Sequence, residues 1–262
     1  MHGRIFFEGN PWPEGHPIKE CQFSASLSDA GVSLNLHLVT EDYYSEREII
    51  EYDENDNLLP EFEDLSAWQS PGCWYNYHAC TISNTFWGSA SQTTLVSKPG
   101  QRFSISDLSG RQLSINPVPT LTNGHADPTF TWEHDELNFH TYLLGHDAVA
   151  DHNLTFTQTE SGLFNIHWTG RIALAYVGET EFKYRFHADL KDVPFLGYAC
   201  PRLVGESVSD HIYPPLDERR KVHRGLANTW LANVESLYYL EREERFEKEV
   251  FSHQNKRMKF WV

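Results

Sequence analysis

The chain has 262 residues, of which 40% are hydrophobic and 14% aromatic, enough apolar material for a substantial core. Its formal net charge of -16 means that the average surface repels phosphate backbones and anionic lipid. This balance argues against non-specific nucleic-acid binding and against attachment to a membrane. Neutral small molecules, carbohydrates and basic proteins remain as partners.

The N-terminal stretch MHGRIFFEGNPWPEGHP has only a short apolar run before Glu8, so it lacks the apolar core of a secretory signal. No segment approaches the roughly 20 apolar residues that span a bilayer. The four cysteines, Cys21, Cys73, Cys80 and Cys200, include no C-x-x-C pair. The sequence therefore predicts a cytoplasmic protein with reduced thiols. In a secreted chain, Cys73 and Cys80 would be the first disulfide to test.

Alternation of apolar and polar residues with a period of two predicts strands along much of the chain. Residues 21–39 contain CQFSASL and GVSLNLHLV on either side of the turn-forming SDAG, which indicates a hairpin. A second hairpin is predicted in residues 103–115 around Ser109. The third and clearest hairpin covers residues 163–190 and turns at Gly178.

The acidic run of residues 41–64 contains part of a calcium-loop pattern, which begins at Asp53 and continues through the next two asparagines. Leu58 stands where such a loop needs a glycine, and Asp64 replaces its terminal glutamate. A solvated acidic face is therefore the better interpretation. Clustered negative charge of this kind also suits a basic protein partner.

A short helix is predicted over residues 57–68, beginning near Pro60. Aromatic residues crowd the following interval, where WQSPGCWYNYH is typical of a loop. Loop aromatics can form a platform for sugar rings or partner side chains, or they can plug the open end of a sandwich. The candidate ligand-binding residues are Trp68, Trp74, Tyr75, Tyr77 and Trp87.

The segment FHTYLLGHDAVADH predicts a strand, a loop and a second strand. On this geometry His146 and Asp147 leave the first strand, Asp151 and His152 enter the second, and His140 contributes from the first. Mixed imidazole and carboxylate ligands suit zinc, although the spacing matches no named zinc motif and such residues also make ordinary loop hydrogen bonds. No cofactor is firmly predicted, and a divalent metal such as zinc is the alternative.

Two H-A-D sequences place a histidine and an aspartate two residues apart, His125 with Asp127 and His187 with Asp189. On a strand, residues two apart share a face, so each carboxylate could orient its imidazole. An exposed polar face is the simpler interpretation of both pairs.

The C-terminal part of the chain has helical spacing over residues 226–241, directly after the basic stretch ERRKVHR. That stretch is predicted to pair with the protein's own acidic surface, or with an external anionic ligand. Two prolines in IYPPLDERR separate this part from the strands. The sequence thus predicts a β-rich body over residues 1–213 and a partly helical C-terminal segment, residues 214–262, docked on it.

The many short strands predict a mainly β fold, an antiparallel β-sandwich or jelly-roll-like barrel with a short helical C-terminal segment. The chain has no phosphate-cradling glycine motif and no nucleophile elbow. The leading hypothesis is a noncatalytic binding or interaction module for a carbohydrate, a small ligand or a basic protein. The alternative is a metal-assisted, hydrolase-like enzyme that uses the His/Asp cluster. The residues leave the oligomeric state open.

Overall fold

The structure, a computed structural model, describes residues 1–85, 94–97, 100–199 and 216–232. Within these ranges the strands are β1 His2–Phe7, β2 His16–Ser28, β3 Gly31–Thr40, β4 Thr81–Ser83, β5 Gln112–Ile115, β6 His140–Tyr142, β7 Ala148–Gln158, β8 Phe164–Ala173, β9 Tyr184–Val193 and β10 Phe195–Ala199. The helices are α1 Pro71–Tyr75 and α2 Leu216–Trp230. The predicted mainly β class is confirmed.

The strands form one sheet in the order β1-β9-β8-β7-β6-β4-β3-β2-β10. Because β1 pairs antiparallel with both β9 and β2, eight strands close into a ring of pairings. β5 adds to β7, and β10 adds to β2. This closed antiparallel sheet confirms the barrel-like alternative of the predicted fold.

The chain divides into two compact units, and each is described by itself. The first unit contains Met1–Phe23, Asn35–Thr94 and Ser106–Phe195. The second contains Ser24–Leu34, Leu95–Ile105 and the segment that begins at Leu196. The predicted boundary between residues 213 and 214 lies outside the described residues, so that division stays a prediction.

Alternation along the strands separates a buried face from a polar one in the first unit. In β8, Phe164, Ile166 and Trp168 are buried, whereas His167 and Thr169 point away from the core. The buried positions meet others from neighbouring strands, and the centroids of the Phe164 ring and the Phe23 ring of β2 lie 5.3 Å apart. Packing of these aromatic rings supplies much of the apolar burial that stabilises the sheet.

Two of the three predicted hairpins are confirmed. β2 and β3 form the first, and β8 and β9 form the third, where Gly178 adopts a left-handed φ of 86° after a 3-10 turn. The hairpin predicted for residues 103–115 is wrong. Ile105–Leu108 forms a 3-10 turn, and β5 pairs instead with β7, whose free edge beside Leu154 accepts it.

The helix predicted for residues 57–68 is reduced to a single 3-10 turn, Pro60–Phe62. None of its residues is buried, so no apolar contact with the core stabilises a longer helix there. The interval predicted as aromatic loop contains the short helix α1.

The second unit contains α2, which begins ten residues before the predicted start at residue 226. The basic stretch ERRKVHR therefore lies inside the helix rather than before it, and the predicted continuation beyond residue 232 lies outside the described residues. Ala227 and Leu231 are buried, and the Phe103 backbone exchanges hydrogen bonds with residues 230 and 232. No helix in the described part of the chain is both long enough and apolar enough to cross a membrane.

Candidate ligand-binding site

The aromatic residues predicted as a ligand platform lie mostly inside the protein. Trp68 is 2% exposed and Trp74 is fully buried, and their indole nitrogens donate to the carbonyls of Glu8 and Trp68. Tyr75 is half-buried, with its hydroxyl on the Ile49 backbone. Protein thus covers both tryptophans. They match the alternative interpretation, in which the loop aromatics plug the open end of the sheet.

Of the remaining members of the predicted platform, the structure describes Tyr77. Tyr77 is half-buried and contacts Tyr142 and Tyr176 edge-on. Trp87 lies outside the described residues. The aromatic platform predicted from the sequence is therefore corrected: its tryptophans of residues 68 and 74 belong to the core.

The plug also contains residues that the sequence did not single out. Trp12 and His16 pack against Trp74 and Tyr43, with ring centroids 5.0 to 6.3 Å apart. Burial is the largest effect on His16 and lowers its pKa to about 4, and the positive charge of Arg4 acts in the same direction. This imidazole is therefore a neutral core group.

The five residues predicted as metal ligands have separate roles. The Asp147 carboxylate accepts hydrogen bonds from the backbone N–H groups of Leu144 and Tyr176, so it closes the turn that follows β6. Burial raises the pKa of this carboxyl group. His146 contacts the edge of the Tyr142 ring, and His140 lies on β6.

Asp151 and His152 lie inside β7 rather than at the foot of a loop, because β7 already begins at Ala148. A β-bulge lies between Ala150 and Asn153, with Asp151 in the left-handed region at φ 54°. Asp151 and His152 are neighbours in this strand and make contacts with different groups. Asp151 forms an ion pair with Arg171 at 3.0 Å. His152 is fully buried, accepts the Trp168 indole N–H at 3.1 Å, and has its pKa lowered to about 3 by burial.

The five residues of the predicted metal centre therefore do not form one group: Asp147 closes a turn, Asp151 pairs with Arg171, and His152 lies in the core. Across the described ranges, no three histidine, cysteine, aspartate or glutamate side chains are grouped so that they could hold a metal ion. The Asp53 loop is also a local turn, in which the Asp53 carboxylate accepts N–H groups of Asn55 and Asn57. Cys21, Cys73 and Cys80 are free thiols, and Cys200 lies outside the described residues.

A different place in the first unit has the form of a binding site. An open cavity of about 740 Å³ lies on four neighbouring strands and the loop after β1. Its lining residues are Phe6, Phe7, Glu8, Gly9, Pro13, Asp151, Asn153, Thr169, Gly170, Arg171, Arg185, Phe186 and His187. The volume falls in the range of roughly 300–1,000 Å³ that is common for small-molecule sites.

Strand register brings a row of four side chains across this cavity. Phe6 of β1 pairs with His187 of β9, which pairs with Thr169 of β8, which in turn pairs with Asn153 of β7. The Phe6 and His187 rings stack with their centroids 4.6 Å apart and an interplanar angle of 10°. One flat aromatic pair thus lies beside a hydroxyl and an amide.

Two arginines from adjacent strands line the next row. Arg171 and Arg185 are register partners, and both guanidinium groups donate to the Gly124 carbonyl, at 2.8 and 2.5 Å. Arg171 is 6% exposed and paired with Asp151, whereas Arg185 is exposed. Within the described ranges, no acidic side chain forms an ion pair with Arg185.

One residue of the second H-A-D pair, His187, lines this cavity. His187 and Asp189 do share a face of β9, as predicted, but Asp189 binds His167 across the strands at 2.7 Å. The polar residues of HWTGRI and FKYRFHAD were the sequence signal for this cavity. They indicated a site only once the strand register showed them to be neighbours.

No protein-family model, no curated protein and no solved structure matches the chain.

Proposed function

We propose that this protein is a noncatalytic binding module that holds a small carbohydrate ligand in the cavity on β1, β9, β8 and β7. The observation that carries the proposal is the stacked Phe6 and His187 pair beside hydrogen-bonding side chains. Sugar rings present a C–H face that packs on a flat aromatic surface, and hydroxyls that need polar partners. Thr169 and Asn153 offer such partners in the same row.

The first experiment measures binding of the full chain to a panel of neutral and acidic oligosaccharides, followed by calorimetric titration of those that bind. Phe6→Ala should weaken binding about twofold to tenfold, because a good aromatic contact contributes about 0.5–1.5 kcal/mol. Tyr52→Ala is the matched control, since Tyr52 is 54% exposed and does not line the cavity. Thermal melting of both variants checks that they fold.

The proposal fails if no oligosaccharide in the panel binds at millimolar concentration. It also fails if Phe6→Ala and Tyr52→Ala bind equally well. Asn153→Ala offers a second probe from another strand, so the result does not depend on one substitution.

A basic protein partner is a second candidate function, favoured by a specific surface. Within the acidic run, Ile50 is 71% exposed and Tyr52 is 54% exposed. Exposed apolar side chains with an acidic rim suit a partner that is both basic and apolar. Binding of a basic amphipathic peptide that is lost in Ile50→Ser with Tyr52→Ser, and weakened by salt, would support it. Equal binding by parent and variant would refute it.

A further inference from the structure

We propose that the ligand of this cavity is an acidic sugar whose carboxylate binds Arg185. This inference rests on the proposed binding function and adds a chemical class to it. It follows from the charges on the cavity wall, from the hydrogen bonds that each arginine makes, and from the distance between Arg185 and the aromatic pair.

The cavity wall contains two neighbouring arginines, Arg171 and Arg185. Arg171 and Arg185 lie directly opposite each other on neighbouring strands, an arrangement that like charges disfavour. Among the described residues, the single carboxylate that forms an ion pair with either arginine is that of Asp151, on Arg171. The carbonyl of Gly124 accepts from both guanidinium groups and carries no net charge. One positive charge of the pair is therefore not balanced by a contacting acid.

The hydrogen bonds show which arginine is free to bind. Arg171 is buried and already donates to Asp151, Gly124 and Phe182. Arg185 is exposed, and its Nη2 donates to Gly124, so N–H donors remain on the open side of its guanidinium. A planar guanidinium binds a carboxylate through two parallel hydrogen bonds.

The other acidic lining residue does not fill this role. Glu8 is exposed, and its backbone N–H donates to the Arg185 carbonyl at 2.9 Å, which fixes the strand ends together. Its carboxylate is not within ion-pair distance of Arg185. Water screens charges that do not touch, so Glu8 weakens an anionic ligand at Arg185 without replacing it.

The geometry places Arg185 next to the stacking surface. Arg185 and His187 are two residues apart on β9, so they share a face and lie about 7 Å apart along the strand. A pyranose ring on the Phe6 and His187 pair could therefore direct an exocyclic carboxylate toward Arg185. A neutral sugar would use the stacking surface and the polar side chains beside it, without the contact to Arg185.

The test compares galacturonate and glucuronate trimers with their methyl esters, which remove the charge and keep the ring. Calorimetric titration of the full chain at low salt should show the acids binding about tenfold more tightly than the esters, consistent with a charge-assisted pair of about 1.4 kcal/mol. Added sodium chloride should reduce this ratio. Arg185→Gln should bring the ratio close to one, because it weakens binding of the acid more than binding of the ester.

Arg47→Gln is the matched control, because Arg47 is an exposed arginine that does not line the cavity. It should keep the full preference for the acid. Equal binding of acid and ester by the parent overturns the inference but leaves the carbohydrate site standing. A preference that survives in Arg185→Gln overturns the role of Arg185, and tighter binding of sulfated than of uronate sugars overturns the carboxylate. If no sugar of any kind binds, the proposed function itself is refuted.

Discussion

Lowering the pH from about 7 to about 5 should destabilise the first unit by about 4 kcal/mol, because two buried imidazoles must stay neutral in the folded chain. His152 lies in the core beside Phe139 and Trp168, where its Nδ1 accepts the indole N–H. His16 lies among Trp12, Tyr43 and Trp74, with the Asn10 amide 3.0 Å from its Nε2. Neither ring has room for the water that a charged form needs.

The direction and the magnitude follow from the two pKa values. Burial lowers the pKa of His16 to about 4 and that of His152 to about 3, whereas an unfolded histidine has a pKa of about 6.5. Between these values the unfolded chain binds more protons than the folded chain, so stability rises with pH and is lost as the pH falls. A pH of about 5 lies roughly 1.5 units below the pKa of an unfolded histidine, so each buried ring lowers the free energy of unfolding there by about 2 kcal/mol. A typical domain has about 5–15 kcal/mol in total.

The assay is urea unfolding at several pH values between about 5 and 6.5, where few carboxylates titrate. The unfolded chain binds close to two more protons than the folded chain in this range. The free energy of unfolding should therefore fall by about 2–3 kcal/mol for each unit by which the pH is lowered. His152→Gln keeps a hydrogen-bond acceptor for Trp168 without a titrating group, and should reduce that slope by about half. His125→Gln, at an exposed loop position, is the control and should leave the slope unchanged.

A slope that is the same in His152→Gln and in the parent would refute the reasoning. It would mean that His152 already reaches water or a compensating acid in the folded chain. A parent whose stability does not change over this pH range would refute it for both histidines.

Three further predictions concern packing and ions. Gly170→Ala should cost about 1–3 kcal/mol in urea unfolding, because the added Cβ would lie 2.5 Å from the Phe186 ring and 3.1 Å from the Ala150 carbonyl. Gly225→Ala is the comparison and should not destabilise the protein, because Gly225 lies in α2 with open space around its Cβ. Trp74→Ala should cost about 3–5 kcal/mol, since the indole is fully buried and donates to Trp68, and a cost near zero would contradict its place in the plug. Zinc should not raise the melting temperature, because Asp151 already pairs with Arg171, and millimolar calcium should not, because the Asp53 carboxylate already accepts hydrogen bonds from its own loop. A zinc-induced rise of several degrees that Asp151→Asn removes, or a calcium-induced rise that Asp53→Ala removes, would reveal a metal site.

Period-two alternation was sufficient to locate β2, β3, β8 and β9, because those strands have one buried and one polar face. It also predicted the first strand of FHTYLLGHDAVADH, which the structure shows as β6, His140–Tyr142. It could not predict the bulge in β7, because a non-glycine residue in the left-handed region leaves no mark in an alternating pattern. It also did not place Asp151 and His152 within one strand, where adjacent side chains point to opposite faces of the sheet.

The cavity was beyond sequence reasoning for a related reason. Its row of Phe6, His187, Thr169 and Asn153 comes from four strands, and their order in the sheet differs from their order in the chain. Burial of the loop tryptophans likewise depends on partners such as Phe7 and Tyr184, which lie far away in sequence. Composition predicted aromatic contacts but not which faces water would reach.

A backbone amide NMR titration of the full chain with galacturonate trimer tests most directly whether ligand binds on the face formed by β1, β9, β8 and β7. We expect the largest shift changes on Phe6, Thr169, Arg185 and His187, and Arg185→Gln should reduce them together. Changes centred on Ile50 and Tyr52, or on the segment around Trp74, would contradict it.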